Sequence, residues 1–303
     1  MTAKIWNHGF HGCHRWEIKT SVQSVSSVVS LLVAAGGCAT NLNTHSHSEH
    51  TAVHLDGVSV GYNGKPALWD VTLDIASGLR LAVLGPNGAG KSTLFKAIMG
   101  LLPLRSGHIL IHGEPPGRRA VQVAYVPQRE DIDLRFPVSV RDVVMMGRYG
   151  RIGWFRRSGR ADRLAVERAM ERLDILHLAD KPIDELSSGQ MQRAFLARAL
   201  AQEADILLLD EPFTGVDAPT ENAIYIVLDD LKTRGITVLL ATHDLDKALS
   251  HFDDLLLVNG TVVACGCAED VFKPEILRRV FGSQITLMPS GDRIMAATDG
   301  HHP

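Results

Sequence analysis

The sequence predicts an α/β domain built on a largely parallel sheet, with a helical block inserted between two of its strands. Short apolar runs that are typical of buried strands alternate with stretches of helical periodicity along much of the chain. Residues 138–202 interrupt this alternation, because their pattern is helical almost throughout. We therefore expect one α/β domain over residues 51–285, with a helical subdomain at about 129–200.

The predicted elements begin near residue 52. Two alternating runs, 53–62 and 67–75, flank Asn63-Gly64, a pair that is typical of a tight hairpin turn. A second hairpin is predicted at 255–266 around Asn259-Gly260. The remaining predicted strands are 80–85, 108–113, 121–126, 205–212 and 236–243. The predicted helices outside the helical block are 91–102 and 221–235, and Gly235 ends the second of them.

The bulk composition excludes two classes of protein. The formal net charge of the 303 residues is −3, so the chain has no overall basic field and no nucleic-acid partner is expected. No apolar run reaches about 18 residues, so no transmembrane helix is expected. The four cysteines, at 13, 38, 265 and 267, form no disulfide framework, which suits a reducing compartment. Cys265-Gly266-Cys267 is interpreted as small residues in a turn, with a metal pair as the alternative.

Residues 1–50 form a Ser/His-rich extension with little periodicity, which predicts disorder. Residues 28–38 resemble a weak export signal. For this segment an unstructured extension or an upstream start assignment is favoured over export. Two groups could hold a soft divalent ion, although a tail without fixed geometry is the preferred interpretation. They are His45, His47 and His50, and His8, His11, Cys13 and His14. Residues 286–303 are predicted to be a C-terminal tail.

A glycine-rich segment between a predicted strand and a predicted helix matches the phosphate-loop pattern G-x-x-x-x-G-K-[ST]. Its glycines let the backbone approach an anion closely, and its N–H groups and the helix N-terminus attract that anion. Lys91 supplies a charge for the β and γ phosphates of a nucleotide, and Ser92 a hydroxyl for Mg²⁺. The nucleotide-binding residues predicted here are Gly85, Pro86, Asn87, Gly88, Ala89, Gly90, Lys91, Ser92 and Thr93.

A second segment, ILLLDEP at 206–212, places two carboxylates at the end of a buried strand. Ligands of α/β sheets collect at the carboxyl ends of the strands. We expect Asp210 to hold Mg²⁺ through water and Glu211 to orient or deprotonate the attacking water. The two segments together predict hydrolysis of a nucleoside triphosphate.

At this point residues 52–282 resemble the ABC ATPase family, whose motifs occur here in the family's order. The resemblance implies a P-loop NTPase fold with an antiparallel β subdomain and an inserted α-helical subdomain. It also implies that Tyr62 stacks on adenine. Gln128 would join the phosphate site to the helical subdomain, with a part in metal binding and catalysis. Asp217 matches the loop after the catalytic strand, and His243 matches the histidine that contacts the γ-phosphate.

The stretch Leu186–Gln190, LSSGQ, resembles the signature of the same family. In that family two nucleotide domains pair head to tail, and the signature of one contacts the γ-phosphate bound by the other. Ser187, Gly189 and Gln190 are therefore expected to bind ATP in a second copy of the chain. Ser188 departs from the usual pair of glycines, and a serine tolerates fewer backbone conformations.

One nucleotide domain without a membrane span implies a separate membrane permease. Stretches at 142–157 and 207–217 look like the subfamily that powers import of manganese, zinc or iron. This implies a peripheral ATPase at the cytoplasmic face of the membrane and, indirectly, an extracytoplasmic metal-binding protein. A non-transport ABC ATPase that acts as a nucleotide-dependent regulatory or assembly factor is the alternative, and the sequence names neither the metal nor the direction. A basic group could dock on the permease, or be a solvated face: Arg148, Arg151, Arg156, Arg157 and Arg160.

Overall fold

The computed structural model describes residues 51–117, 122–128, 137–153 and 156–282, together with the backbone of residues 285–290 and 293–298. The predictions made for residues 1–50 lie outside this part of the chain. The strands are β1 (Thr51–Tyr62), β2 (Lys65–Ala76), β3 (Arg80–Leu84), β4 (Ser106–Ile111), β5 (Val123–Val126), β6 (Ile206–Asp210), β7 (Thr237–Thr242), β8 (Asp254–Val258), β9 (Val262–Gly266), β10 (Ile285–Ser290) and β11 (Arg293–Thr298). The helices are α1 (Lys91–Ile98), α2 (Val140–Met146), α3 (Tyr149–Ile152), α4 (Arg160–Arg172), α5 (Ser188–Ala201), α6 (Ala218–Thr233), α7 (Leu245–His251), α8 (Ala268–Val271) and α9 (Pro274–Phe281).

The central sheet has six strands in the order β5-β6-β7-β3-β8-β9. The first five of these are parallel and β9 pairs antiparallel with β8, as the predicted hairpin requires. Strands β3, β6 and β7 are buried almost throughout, which explains why the residues between their ends are all apolar. The parallel arrangement brings the carboxyl ends of β3, β5, β6 and β7 to one edge, which we call the carboxyl edge.

A second, three-stranded antiparallel sheet has the order β2-β1-β4. Buried and exposed positions alternate along β2, so one face of this sheet packs inward and the other meets solvent. Its buried residues, among them Leu55 and Ile75, share a hydrophobic core with α1 and one face of the central sheet. This sheet matches the antiparallel subdomain that the family resemblance implies.

The helical block contains α2, α3, α4 and α5 and lies between β5 and β6 in the chain. Residues from α2, α4 and α5 join the opposite face of the central sheet in a second core, for example Val144, Met170 and Phe195. Helix α1 is shorter than the predicted 91–102: it ends at Ile98, before Gly100 with a φ of 70°. Helix α4 ends at Arg172, before Asp174 with a φ of 52°. None of the helices in the described part is long and apolar enough to cross a membrane.

One prediction about the helical block is wrong. Arg148 was placed in an exposed basic group, but it is 7% exposed. Its Nε donates to Asp162 at 3.1 Å, and its Nη1 donates to Glu203 at 2.7 Å and to the carbonyl of Ala201 at 2.8 Å. Arg148 therefore ties the start of α4 to the end of α5 and cannot belong to a docking face.

An antiparallel hairpin was not predicted. The backbones of β10 and β11 pair from Ile285↔Thr298 to Ser290↔Arg293, within the segment interpreted as a tail. A single two-stranded hairpin is only marginally stable by itself, so it needs further packing to form.

Candidate functional site

The phosphate loop connects β3 to α1 as the sequence predicts, and its glycines are required by geometry. Gly88 and Gly90 have φ values of 79° and 103°, in the left-handed region that glycine favours. A Cβ on Gly85 would lie 2.2 Å from the carbonyl oxygen of Val258. A Cβ on Gly90 would lie 2.6 Å from Cδ2 of Leu68. The loop therefore holds its shape only with glycine at these positions.

Lys91, the first residue of α1, is 5% exposed and folds back over the loop. Its Nζ donates to the carbonyl of Gly85 at 2.8 Å and to that of Pro86 at 3.3 Å. The same Nζ lies 3.6 Å from Oε1 of Glu211. Burial lowers the pKa of the Lys91 ammonium, and Glu211 and Asp210 oppose that shift. Lys91 is thus a buried cation that contacts two carbonyls and one carboxylate 3.6 Å away. A phosphate could replace these contacts.

Asp210 ends β6 and is 1% exposed. Its Oδ2 accepts a hydrogen bond from the Tyr125 hydroxyl at 3.1 Å. Its Oδ1 is buried and has no hydrogen-bond partner among the described residues. Burial raises the pKa of the Asp210 carboxyl, and hydrogen bonds from Ser92 and Tyr125 lower it in part. A buried carboxylate oxygen without a partner, beside a serine hydroxyl, fits a hard cation such as Mg²⁺.

Glu211 follows directly and has a backbone conformation that is rare for a non-glycine residue, with a φ of 47°. Its backbone N–H donates to the carbonyl of Ala241 at 3.1 Å, which anchors it to β7. Its side chain is mostly buried, and Oε2 lies 3.9 Å from Nδ1 of His243. His243 comes just after β7 and its side chain is 64% exposed. The strained backbone thus directs the carboxylate between Lys91 and His243.

Gln128 and Tyr62 both lie at or just beyond the end of a strand. Gln128 is half-buried two residues after β5, so it lies at the carboxyl edge. Tyr62 ends β1 and is 45% exposed, which leaves much of its ring accessible. Their roles toward ATP stay predictions.

The signature turn begins α5. Ser187 is the N-cap, and its hydroxyl accepts from the backbone N–H of Gln190 at 3.3 Å. The Gln190 side chain in turn accepts from the backbone N–H of Ser187 at 3.1 Å. Ser188 is the first helical residue and is not among the positive-φ positions, so a serine needs no unusual backbone there. The turn is therefore formed with a serine in the place of the first glycine.

Gly189 packs against the start of α6. A Cβ there would lie 2.8 Å from Oγ1 of Thr220 and 3.0 Å from Oδ1 of Asp217. Asp217 is the N-cap residue of α6, yet its exposed side chain makes no capping hydrogen bond. The polar groups of Ser187 and Gln190 satisfy each other within one chain, and Asp217 stays exposed beside them.

Comparison with known proteins now adds to this geometry. The family described as "ABC transporter" matches residues 68–214. The zinc transport system ATP-binding protein TroB of Treponema pallidum is 48% identical over 80% of this chain and 92% of its own length. The manganese transport system ATP-binding protein MntB of Bacillus subtilis is 46% identical over 82% of this chain and 98% of its own length.

The chain belongs to the ABC transporter ATP-binding family. Membership confirms the predicted fold class and an ATPase that is coupled to transport. A solved structure of an inward-facing, metal-chelate type ABC transporter supports the same fold, with a TM-score of 0.69 and 26% identity. It covers 82% of this chain and 96% of the other.

Sequence reasoning missed one member of this ABC transporter site. Tyr125 bonds to Asp210, although the two residues are 85 positions apart. The available signal was the polar hydroxyl in an otherwise apolar strand, YV before Pro127. In the described part of the chain, no group of three or more His, Cys, Asp or Glu residues is placed to hold a metal ion by itself.

Proposed function

We propose that this ABC transporter subunit hydrolyses ATP to power import of a divalent metal ion: manganese, zinc or iron. The observation that carries the proposal is the meeting of Lys91, Asp210 and Glu211 at the carboxyl edge. The choice of cargo rests on the relatives, since TroB is named for zinc transport and MntB for manganese transport.

The phosphate loop would bind the ATP phosphates through its backbone N–H groups and the N-terminus of α1. Lys91 would exchange its bonds to the carbonyls of Gly85 and Pro86 for bonds to the β and γ phosphates. Ser92 and Asp210 would hold Mg²⁺, which when bound neutralises phosphate charge and orients the triphosphate. Tyr62 would stack on the adenine.

Glu211 would orient the attacking water and accept its proton, a contribution of about 10²- to 10⁴-fold in rate. Its carboxylate is already directed toward Lys91 and His243. His243 would donate to the γ-phosphate, and Gln128 would report the state of the site to the helical subdomain. These assignments give Glu211, His243 and Gln128 each a defined part in hydrolysis.

A second copy of the chain would complete the site. Ser187, Gly189 and Gln190 of one copy would face the γ-phosphate bound by the other, with Asp217 close to the same junction. Closure of the pair on ATP would drive a membrane permease between its two faces. The subunit would act at the cytoplasmic face of the membrane, and an extracytoplasmic protein would deliver the metal to the permease.

The exposed arginines of the helical block, Arg151, Arg156, Arg157 and Arg160, remain a proposed docking face for that permease. Arg151 already donates to the carbonyls of Gln202 and Glu203, so Arg156, Arg157 and Arg160 would make most of the contact.

The test is the metal content of cells that lack this protein. Cells restored with wild type, Glu211→Gln or the matched control Glu275→Gln are grown under metal starvation, and manganese, zinc and iron are measured together. Glu275 is exposed on α9, so its substitution should restore uptake fully. We expect one metal to fall in the deletion and in Glu211→Gln only. If all strains hold the same metals, the import proposal is wrong and the ATPase remains.

A second readout uses the purified proteins. Glu211→Gln should still bind ATP and should accumulate as an ATP-bound dimer, whereas Glu275→Gln should turn ATP over at the wild-type rate. Co-purification with a soluble partner in place of a membrane protein would favour a regulatory or assembly role.

A further inference from the structure

We propose that Tyr125 is a positioning residue whose hydroxyl holds one oxygen of Asp210, so that the other oxygen is presented to Mg²⁺. The inference rests on the proposed role of Asp210 as a magnesium ligand and extends it to a residue on the neighbouring strand.

The two oxygens of the Asp210 carboxylate have different surroundings. Oδ2 accepts the Tyr125 hydroxyl at 3.1 Å, whereas Oδ1 is buried and has no hydrogen-bond partner among the described residues. A buried carboxylate oxygen in this state is costly unless it gains a ligand. Because one oxygen is held by Tyr125, the carboxylate cannot rotate freely, and the oxygen that stays open is the one that can meet a cation.

Strand pairing places Tyr125 for this contact. β5 and β6 are parallel neighbours, with Tyr125 opposite Leu208. Leu208 lies in the core cluster that also contains residues of α1, and Tyr125 packs against that cluster. Since side chains alternate along a strand, Asp210 shares the face of Leu208. Tyr125 therefore reaches Asp210 diagonally, on the side of the sheet where α1 carries Lys91 and Ser92.

Tyr125 is itself fixed by α5. Its backbone carbonyl accepts from Nη2 of Arg198 at 3.2 Å, and the Arg198 guanidinium lies 5.2 Å from the centre of the Phe195 ring. Arg198 belongs to the helix that begins with the signature turn. The strand β5, which carries Tyr125, is therefore fixed by pairing with β6 and by the hydrogen bond from α5. Residues that orient a metal ligand in this way typically contribute 10- to 100-fold to metal affinity.

A purely structural role for the hydroxyl is the competing explanation, and the two roles predict different measurements. A structural bond would affect the fold and nucleotide binding equally with and without metal. A positioning bond would affect only the steps that require the cation.

The test is Tyr125→Phe in the full chain, which removes the hydroxyl and keeps the ring. Tyr149→Phe is the matched control, because Tyr149 is 57% exposed on α3. ATP affinity is measured by calorimetry in EDTA and then at a series of MgCl₂ concentrations. For Tyr125→Phe we expect the half-saturating Mg²⁺ concentration to rise about 10-fold. Its ATP affinity in EDTA should match wild type, and the control should be unchanged throughout.

Asp210→Asn and the double variant supply a second measurement. If the hydroxyl acts through the carboxylate, Tyr125→Phe should change the Mg²⁺ requirement much less in the Asp210→Asn background than alone. An unchanged Mg²⁺ requirement in Tyr125→Phe, or an equal loss of ATP affinity in EDTA, overturns the positioning role. If ATP affinity of the wild type does not depend on Mg²⁺, the proposed role of Asp210 as a magnesium ligand is wrong, and so is the inference about Tyr125. Neither result depends on cargo, so metal import is judged separately.

Discussion

The two edges of the central sheet carry their charges in different ways. At the edge where the parallel strands begin, which we call the amino edge, Arg80 contacts Asp229 and its backbone N–H donates to Asp253 at 3.1 Å. Lys232 also contacts Asp253. At the carboxyl edge, Lys91 is 3.6 Å from Glu211, and His243 is 3.9 Å from the same carboxylate.

The difference separates stability from function within the same strands. Close pairs at the amino edge tie the start of β3 to the end of α6 and to the loop before β8, so they stabilise the fold. The longer contacts of the carboxyl edge leave Asp210 Oδ1 without a partner among the described residues and leave Glu211 with a strained backbone. These groups contribute little to folding in this state, and under the proposed function their arrangement would become favourable when phosphate and cation bind.

The largest expected effect is that of Asp210→Asn. ATP hydrolysis should fall by at least about 100-fold, because the carboxylate that would hold Mg²⁺ is lost. Burial already raises the pKa of Asp210, so a neutral isostere removes a desolvation penalty and the Tm should not fall. Steady-state ATPase assays and calorimetric melting check both parts, with exposed Asp246→Asn as the control. A clear drop in the Tm of Asp210→Asn would show that the carboxyl edge also stabilises the fold, which contradicts the difference between the two edges.

The next largest effect is expected for Gly189→Ala. This substitution tests whether the signature turn belongs to the functional site together with the carboxyl edge. The new Cβ would lie 2.8 Å from Thr220 Oγ1, so the signature turn must move relative to α6. We expect hydrolysis to fall by about 10- to 100-fold while a single chain binds ATP as before. Turnover is compared with equilibrium ATP binding. Ser188→Gly restores the first glycine of the pair and should leave hydrolysis within about twofold of wild type, since Ser188 needs no special backbone. A large increase in ATP hydrolysis in Ser188→Gly would show that the serine impairs the signature turn.

At the amino edge, Asp253→Ala should reduce stability without reducing catalysis. It leaves Arg80 and Lys232 with fewer partners, which we expect to cost about 1–3 kcal/mol. The Tm should fall by roughly 2–4 °C for each kcal/mol. ATPase activity at 20 °C should be unchanged, and Asp230→Ala, which breaks only an exposed pair with Arg234, should change the Tm little. Equal losses in both variants would contradict the structural role of the amino-edge pairs.

The smallest effect is a pH dependence at Asp254, the first residue of β8. Burial, followed by Asp253 and Asp270, raises the pKa of its carboxyl. A carboxyl with a raised folded-state pKa costs stability above that pKa, because the folded protein then holds a disfavoured charge. Asp254→Asn should therefore raise the Tm by about 2 °C at pH 7. This gain in Tm should disappear as the pH falls below the pKa of Asp254 in both the folded and the unfolded protein, because the carboxyl is then neutral in both states. If the Tm of Asp254→Asn stays above that of the wild type in acid, the stabilisation comes from packing and not from removal of the charge.

The sequence predicted those parts of the site that are local in the chain. The phosphate loop is recognisable because β3, Gly85–Thr93 and α1 are consecutive. The two carboxylates proposed for hydrolysis are recognisable because β6 is apolar up to Asp210. In both cases the strand–loop–helix order decides where the polar groups lie.

Contacts between distant elements could not be predicted in the same way. Tyr125 meets Asp210 only because β5 lies beside β6, and spacing along the chain does not fix that order. Arg148 looked like a surface arginine, since its partners Asp162 and Glu203 are 14 and 55 positions away. The concern about Ser188 was local, and it disappears because the turn is a capped helix start that accepts serine.

The position of β3 in the sheet has a consequence for synthesis of the chain. β3 ends at Leu84, but its two neighbours are β7 and β8, and the second of these ends at Val258. At about 5–20 residues per second, a ribosome needs roughly 10 to 35 seconds to make the intervening segment. During that interval the apolar strand and the phosphate loop have no sheet to join. The nascent chain must therefore keep Leu81 and Val83 away from other apolar surfaces, and the central sheet assembles only near the end of translation.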